Sequence, residues 1–142
     1  EDIVAAIDHV KSTLQVVFTV ETLEYLRRGG RIGAAAKLLG TALQLKPVLV
    51  VPQASGQIEA AERVHSRKRS LDRLPEYVLE RIDSTQPVRA CVMHGAAPEE
   101  ADAVLNEMCK RANVIEAVST CVGPIVGTHA GPGVVGLTVH VA

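Results

Sequence analysis

Glycine is concentrated near the C-terminal end of the chain, around His129. Of the 11 glycines, five lie between positions 123 and 136. Because glycine loses the most backbone entropy on folding, such a cluster indicates a sharp bend or a close approach to another group. Backbone N–H groups in such a bend can bind an anion, and the imidazole of His129 can donate to a carboxylate. The alternative is a tight turn that His129 merely caps, and the spacing does not decide between the two.

A second candidate site is the segment Arg27-Arg28-Gly29-Gly30-Arg31. Arg27 and Arg28 are typical of a helix C-terminus, where cations interact favourably with the helix dipole. Arg31 follows two glycines and precedes an apolar segment. It could therefore bind a carboxylate bidentately, or hold a loop through hydrogen bonds to carbonyl groups. The segment is not a phosphate-binding P-loop, because neither GxxxxGKS nor GxxxxGKT occurs in the chain.

A third cluster is basic and begins a predicted helix. Its cations are Arg63, Arg67, Lys68, Arg69 and Arg73, with Glu62 and Asp72 among them. Such a run is usually a solvated helix face. The alternative is a docking surface for an acidic protein partner, centred on Arg67–Arg73.

The remaining motifs give no positive indication of catalysis. The five histidines lack the HxxxH and HExxH spacings of zinc sites, and neither GxSxG nor GxGxxG after a strand is present. We therefore expect no metal, no cofactor and no enzymatic activity. An acyl-transfer or hydrolytic enzyme that uses His129 stays an alternative. It requires a hydroxyl or thiol within hydrogen-bond reach of that ring.

Composition argues against several other classes of protein. The formal net charge is −1 and only three residues are aromatic, which disfavours nucleic-acid binding. No apolar run approaches the roughly 18 to 20 residues of a membrane span, and the acidic start, Glu1-Asp2, is unlike a signal peptide. Cys91, Cys109 and Cys121 form no CxxC pair, so we expect reduced, buried thiols in a cytoplasmic protein.

Apolar periodicity predicts a single α/β domain over residues 1–142. Helices are predicted at 3–14, from Thr19 or Glu21 to Gly29-Gly30, at 34–43, 66–83 and 98–112, and strands at 16–20, 47–51, 58–64, 88–93, 114–122 and 134–141. Pro75 implies that the helix at 66–83 either begins near Leu74 or kinks. The strands at 88–93 and 114–122, with the helix between them, predict a βαβ unit with parallel strands. The sheet is therefore mixed, with this unit near its C-terminal end and helices flanking it.

Three segments in order carry a resemblance to a known family. Leu23 to Ile32 is similar to the LxYLxxGGRI signature of the DegV family, and Leu45 to Leu49 resembles its xxKPxL strand entry. Gly123 to Gly133 resembles the family's closing motif, GxxxGxHxGPG. The resemblance extends over roughly residues 18–141.

This resemblance implies an α/β bacterial protein that binds a long-chain fatty acid without acting as an enzyme. It also implies that the bound carboxylate is presented to a separate fatty-acid kinase, which makes acyl phosphate. By motif, His129 would hold the carboxylate, and Arg31 would support the head group or the loop. Gly127 and Thr128 would complete the ligand site.

Family members are about twice as long, so the resemblance identifies this chain with their C-terminal domain and implies that the N-terminal lipid-binding half is absent. The family's KVRTRKKA-like segment, linked to kinase docking, corresponds to residues 63–70. His65 occupies an arginine position of that segment. His65, Arg67 and Arg69 are therefore the predicted partner contacts.

Overall fold

Helices flank a six-stranded mixed sheet in the computed structural model, which describes residues 2–40 and 45–142. The elements are α1 (Ile3–Thr13), β1 (Gln15–Thr19), α2 (Glu24–Arg28), a 3₁₀-helix (Gly33–Leu38), β2 (Val48–Val50), β3 (Glu59–Glu62), α3 (Arg67–Leu79), β4 (Val88–His94), α4 (Pro98–Arg111), β5 (Val114–Cys121), α5 (Pro124–Ala130) and β6 (Val135–Val141). The strand order is β3-β2-β1-β6-β4-β5. The predicted α/β class with a mixed sheet is confirmed.

The predicted βαβ unit is confirmed. Strands β4 and β5 pair in parallel, and α4 connects them. Pro98 begins α4, where its missing N–H removes no helical hydrogen bond, and Glu99 and Glu100 lie near the positive end of the helix dipole. The helix buries an apolar face formed by Ala101, Val104, Leu105 and Met108.

The main core covers one face of the sheet. Val17, Leu137 and Val92 are fully buried and lie side by side across β1, β6 and β4. Helices α3 and α4 pack on this row, and Leu74 and Val78 of α3 belong to the same cluster. A second cluster contains Val20, Leu26, Ala35, Leu49, Ala130 and Val134.

Helix α2 begins later than the sequence predicts. Thr19 ends β1, and its hydroxyl donates to that of Ser70 at 3.1 Å in the buried core. The predicted helix start at Thr19 or Glu21 is therefore wrong, because strand pairing and burial hold Thr19 in the sheet. The helix begins at Glu24, and Gly29 follows its last residue as predicted.

Two other predicted helices differ in extent or type. Residues 33–38 form a 3₁₀-helix, and Leu39 already has an extended backbone, so an α-helix from Ala34 is wrong. Ala42 and Leu43 of that prediction lie outside the described residues. Helix α3 starts at Arg67, with the Ser66 side chain accepting from the N–H of Arg69, and it continues through Pro75. Pro75 therefore does not mark the helix start.

Helix α1 is confirmed, but it contributes no buried residue. Its N-terminus is capped by Asp2, whose carboxylate accepts from the N–H of Val4 at 3.0 Å. Ile3, Val4 and Ile7 are exposed.

Within the described part of the chain, no helix combines the length and apolar character that crossing a bilayer requires.

The prediction of three buried cysteines is wrong. Cys91 of β4 is half-buried, whereas Cys109 and Cys121 are exposed. Cys109 lies on the outer face of α4, and Cys121 ends β5, which is an edge strand. Apolar spacing does not distinguish an edge strand from a central one, so the sequence overestimates burial here.

This arrangement predicts unequal thiol reactivity. Burial raises the pKa of the Cys91 thiol, which lowers its reactive thiolate fraction. We expect iodoacetamide to modify Cys109 and Cys121 in the folded protein, and Cys91 only after denaturation. Peptide mass spectrometry of the alkylated protein measures this. Equal modification rates at all three cysteines would contradict it.

Candidate functional site

A cavity of about 760 Å³ lies against the sheet, on the side opposite the main core. Side chains alternate along strands, so Phe18, Gly136 and Met93 face away from the row of Val17, Leu137 and Val92. The cavity wall is mostly apolar and includes Phe18, Leu26, Ile58, Met93, Val122 and Val126.

Gly136 forms part of the cavity floor. It pairs with Phe18 on β1 and with Met93 on β4, and all three line the cavity. A Cβ atom on Gly136 would lie 3.3 Å from Cβ of Phe18, which is a tight contact. The absence of a side chain at the centre of this row therefore contributes to the space above the sheet.

The glycine-rich segment near His129 forms a helix followed by a turn, so the predicted bend is confined to residues 131–133, where Gly131 and Gly133 have φ of +79° and +83°. Helix α5 starts at Pro124 and ends at Ala130. The N–H of Gly127 donates to the carbonyl of Gly123 at 2.9 Å, and that of Gly131 to Gly127 at 2.8 Å. These amides satisfy the helix and are not available to an anion.

His129 lies in the last turn of α5 and lines the cavity. Its Nδ1 atom is buried and has no hydrogen-bond partner among the described residues. The ring lies directly over the backbone of Gly29, where a Cβ atom would overlap Nδ1. Because Nδ1 is buried, we expect Nε2 to be the ring nitrogen that contacts a ligand in the cavity.

Arg31 also lines the cavity, and a defined helix ending positions it. The N–H of Arg31 donates to the carbonyl of Leu26 at 2.9 Å, and the N–H of Gly30 donates to the carbonyl of Arg27 at 3.1 Å. This is a Schellman motif, with Gly30 in the left-handed conformation (φ +67°). The exposed guanidinium makes no hydrogen bond or ion pair within residues 2–40 and 45–142.

The neighbouring cations are already paired. Arg27 and Arg28 both donate to the carboxylate of Glu24, and these hydrogen bonds lower the pKa of Glu24 to about 2. The interpretation of Arg27 and Arg28 as ordinary helix-terminal cations agrees with these contacts. Arg31 is the cation of this segment that remains available to a ligand.

Gly127 and Thr128 are not part of the cavity wall. The Thr128 side chain is exposed, and its hydroxyl donates to the carbonyl of Pro124 at 2.7 Å. The backbone N–H of Gly127 is used within α5. Of the four residues predicted to bind the ligand, the structure brings Arg31 and His129 to one cavity.

Arg67 is held inside the protein by residues distant in sequence. Its Nη2 atom donates to the carboxylate of Glu100 at 2.5 Å and to the carbonyl of Gly133 at 2.6 Å. Its Nε atom donates to the same carboxylate at 3.2 Å, and only 19% of the side chain is exposed. Arg67 therefore joins α3 to α4 and to the turn after α5.

The cations from Lys68 to Arg73 are also paired with carboxylates, whereas Arg63 is exposed and forms no ion pair among the described residues. Arg69 lies 3.6 Å from Glu76, and Lys68 forms an ion pair with Asp72 at 2.6 Å. His65 is exposed and lies beside Lys46 and Arg67 at the rim of another cavity. This pairing gives no support to a basic docking surface over Arg67–Arg73.

The sequence interpretation missed the residues that form the cavity wall. The sequence identifies Phe18, Met93 and Thr138 only as strand residues, because no local pattern shows which strands become neighbours. Gly136 carried a usable signal, because glycine within a strand often marks a close approach or a space.

The hydrolytic alternative requires a nucleophile beside His129. Among the described side chains, none with a hydroxyl or thiol makes a hydrogen bond with His129, and the hydroxyl of Thr128 is bound to Pro124. Cys121 instead lies 3.7 Å from Nε2 of His94, on another part of the sheet. The required pair is therefore not seen.

A family model described as an uncharacterised protein of the DegV family matches residues 1–141. The chain belongs to the DegV family. A DegV domain-containing protein of Clostridium perfringens is 35% identical over 140 residues, which are 99% of this chain and 49% of that protein. Protein DegV of Bacillus subtilis is 31% identical over 96% of this chain and 48% of that protein.

Solved DegV structures share the fold. A fatty-acid-binding DegV family protein of Thermus thermophilus has a TM-score of 0.91 and 29% identity, covering all of this chain and 51% of that one. Bacillus subtilis DegV, described as a fatty acid binding protein, has a TM-score of 0.81 and 31% identity, covering 99% and 49%. The chain thus spans about half the length of the DegV relatives that it matches.

Proposed function

We propose that this chain binds a long-chain fatty acid, with the acyl chain in the 760 Å³ cavity and the carboxylate at Arg31 and His129. The observation that carries the proposal is that the Arg31 guanidinium and the His129 ring meet at one apolar cavity, where neither the guanidinium nor Nδ1 has a partner among the described residues. The fatty-acid binding described for the DegV proteins of T. thermophilus and B. subtilis supports it.

The hydrocarbon chain of a fatty acid matches the apolar wall of the cavity, and its carboxylate matches Arg31 and His129. Burial of a hydrocarbon chain contributes about 0.8 kcal/mol per CH₂, and the aliphatic wall offers the apolar surface for it. A carboxylate accepts charge-assisted hydrogen bonds, and the planar guanidinium of Arg31 can donate two in parallel. Nε2 of His129 would supply a further donor.

We further propose that the chain acts as a non-enzymatic carrier in the cytoplasm and presents the carboxylate to a fatty-acid kinase. The exposure of Arg31 supports this, because a head group bound there would remain accessible to a second protein. If the carrier role is right, fatty acid bound to this protein should yield acyl phosphate when a fatty-acid kinase and ATP are added. Retained lipid without acyl phosphate would reject the carrier role and leave lipid binding intact.

Native mass spectrometry of the protein purified from bacteria tests lipid binding. We expect a co-purified acyl chain in the unmodified protein. Removing charge-assisted hydrogen bonds, each contributing about 1.5–3 kcal/mol, should lower retention at least tenfold in Arg31→Ala and His129→Ala.

Arg28→Ala is the matched control, because Arg28 is an exposed cation paired with Glu24 and does not line the cavity. It should retain lipid as the unmodified protein does. Equal retention in His129→Ala and the unmodified protein would remove the role of His129. Absence of lipid from the unmodified protein would reject the proposed function for this chain.

A further inference from the structure

The two glycines after α2 meet different requirements. Gly30 has a φ of +67°, and a Cβ atom on it would contact nothing within 4 Å. Gly29 has a φ of −78°, which any residue adopts, but a Cβ atom there would overlap the His129 ring. Gly30 is therefore required for backbone conformation, whereas Gly29 is required for space.

A reciprocal contact joins the same two helices. The Tyr25 ring of α2 lies over Gly131, the residue after α5, where a Cβ atom would overlap the ring. The His129 ring of α5 lies over Gly29, the residue after α2. Each helix thus places a ring on the glycine that follows the other helix. We call these two contacts the ring–glycine pairs.

The ring–glycine pairs orient His129 by packing alone. Nδ1 is buried without a hydrogen-bond partner among the described residues, so no polar contact fixes the ring. Contact with the bare backbone of Gly29 determines which nitrogen is buried and which is available. The same turn carries Arg31, whose N–H is bonded to Leu26.

We propose that Gly29 is a positioning residue for His129: its missing side chain seats the imidazole and leaves Nε2 available to a carboxylate. The proposal rests on the proposed function for the identity of the ligand, but the seating of the ring does not depend on it. One turn, Gly29-Gly30-Arg31, therefore positions both head-group residues.

The first test needs no ligand and uses a double-mutant cycle. Gly29→Ala should lower the thermal midpoint and shift the ring ¹⁵N signals of His129. In a His129→Ala background the new methyl group has space, so Gly29→Ala should then change the midpoint little. Gly123→Ala is the control, since Gly123 has a φ of −69° and open space at its Cβ position.

Two results of this cycle would overturn the proposal. One is unchanged His129 ring signals in Gly29→Ala. The other is the same loss of thermal midpoint in both backgrounds, which would show that Gly29 acts independently of His129. Because the unmodified protein need not bind lipid for either measurement, failure of the proposed function is distinguished from failure of this inference.

The second test separates head-group binding from chain binding. Gly29→Ala should weaken palmitate binding about tenfold or more, which is the effect of losing one charge-assisted hydrogen bond, and leave 1-hexadecanol binding unchanged. A purely structural role for Gly29 would weaken both ligands equally, and this outcome would also overturn the proposal.

Discussion

Replacement of Gly136 by valine is expected to weaken palmitate binding about 30-fold. Gly136 lies between Phe18 and Met93 on the cavity floor, so a side chain there enters the space that we assign to the acyl chain. Excluding about three methylene groups at about 0.8 kcal/mol each removes roughly 2 kcal/mol of binding free energy. Titration with a fluorescent fatty acid measures the change.

Thr138→Val is the matched control for this substitution. Thr138 lies on the same strand and lines the same cavity, and valine keeps its volume nearly constant. Its affinity should match that of the unmodified protein, and Gly136→Ala should be intermediate. Undiminished palmitate binding by a folded Gly136→Val protein would mean that the acyl chain lies elsewhere.

Replacement of Arg67 by methionine is expected to lower the free energy of unfolding by about 2 kcal/mol. Methionine keeps the apolar stem but removes the hydrogen bonds to Glu100 and Gly133, and bonds of this charged type contribute about 1.5–3 kcal/mol each. Solvation of the partly exposed Glu100 carboxylate reduces the loss. Urea denaturation measures it.

Arg69→Met on the same helix is the control. The Arg69 side chain is 57% exposed and its ion pair with Glu76 is long at 3.6 Å, so less than about 0.5 kcal/mol should be lost. Equal stability of the two variants would contradict the structural role of Arg67. It would also reopen the docking interpretation of this cluster.

The sequence by itself determined the elements whose signals are local. Pro98 and the acidic residues after it mark the start of α4, and apolar β-branched runs mark the flanking strands, so the βαβ unit is predictable. The order of the GGRI and GTHAGPG motifs likewise led to the family. Both rest on residues that are close together in the chain.

Tertiary structure decided that the glycine-rich segment begins with a helix. Glycine content favours a bend, but Ala130 is buried in the second core cluster and His129 packs on Gly29. These contacts stabilise a seven-residue helix that local propensity does not indicate. The N–H groups of Gly127 and Gly131 donate to carbonyls of this same segment, so these two amides are not free.

The roles of individual side chains were also decided by distant contacts. Arg67 pairs with residues 33 and 66 positions away, so a cation expected on a solvated or docking face is held inside the protein instead. The residues that line the cavity come from strands β1, β4 and β6 and from helices α2 and α5, among other segments. A local pattern specifies which residues form a strand or helix, but which side chains meet depends on how those elements pack, and that is fixed by burial over the whole chain.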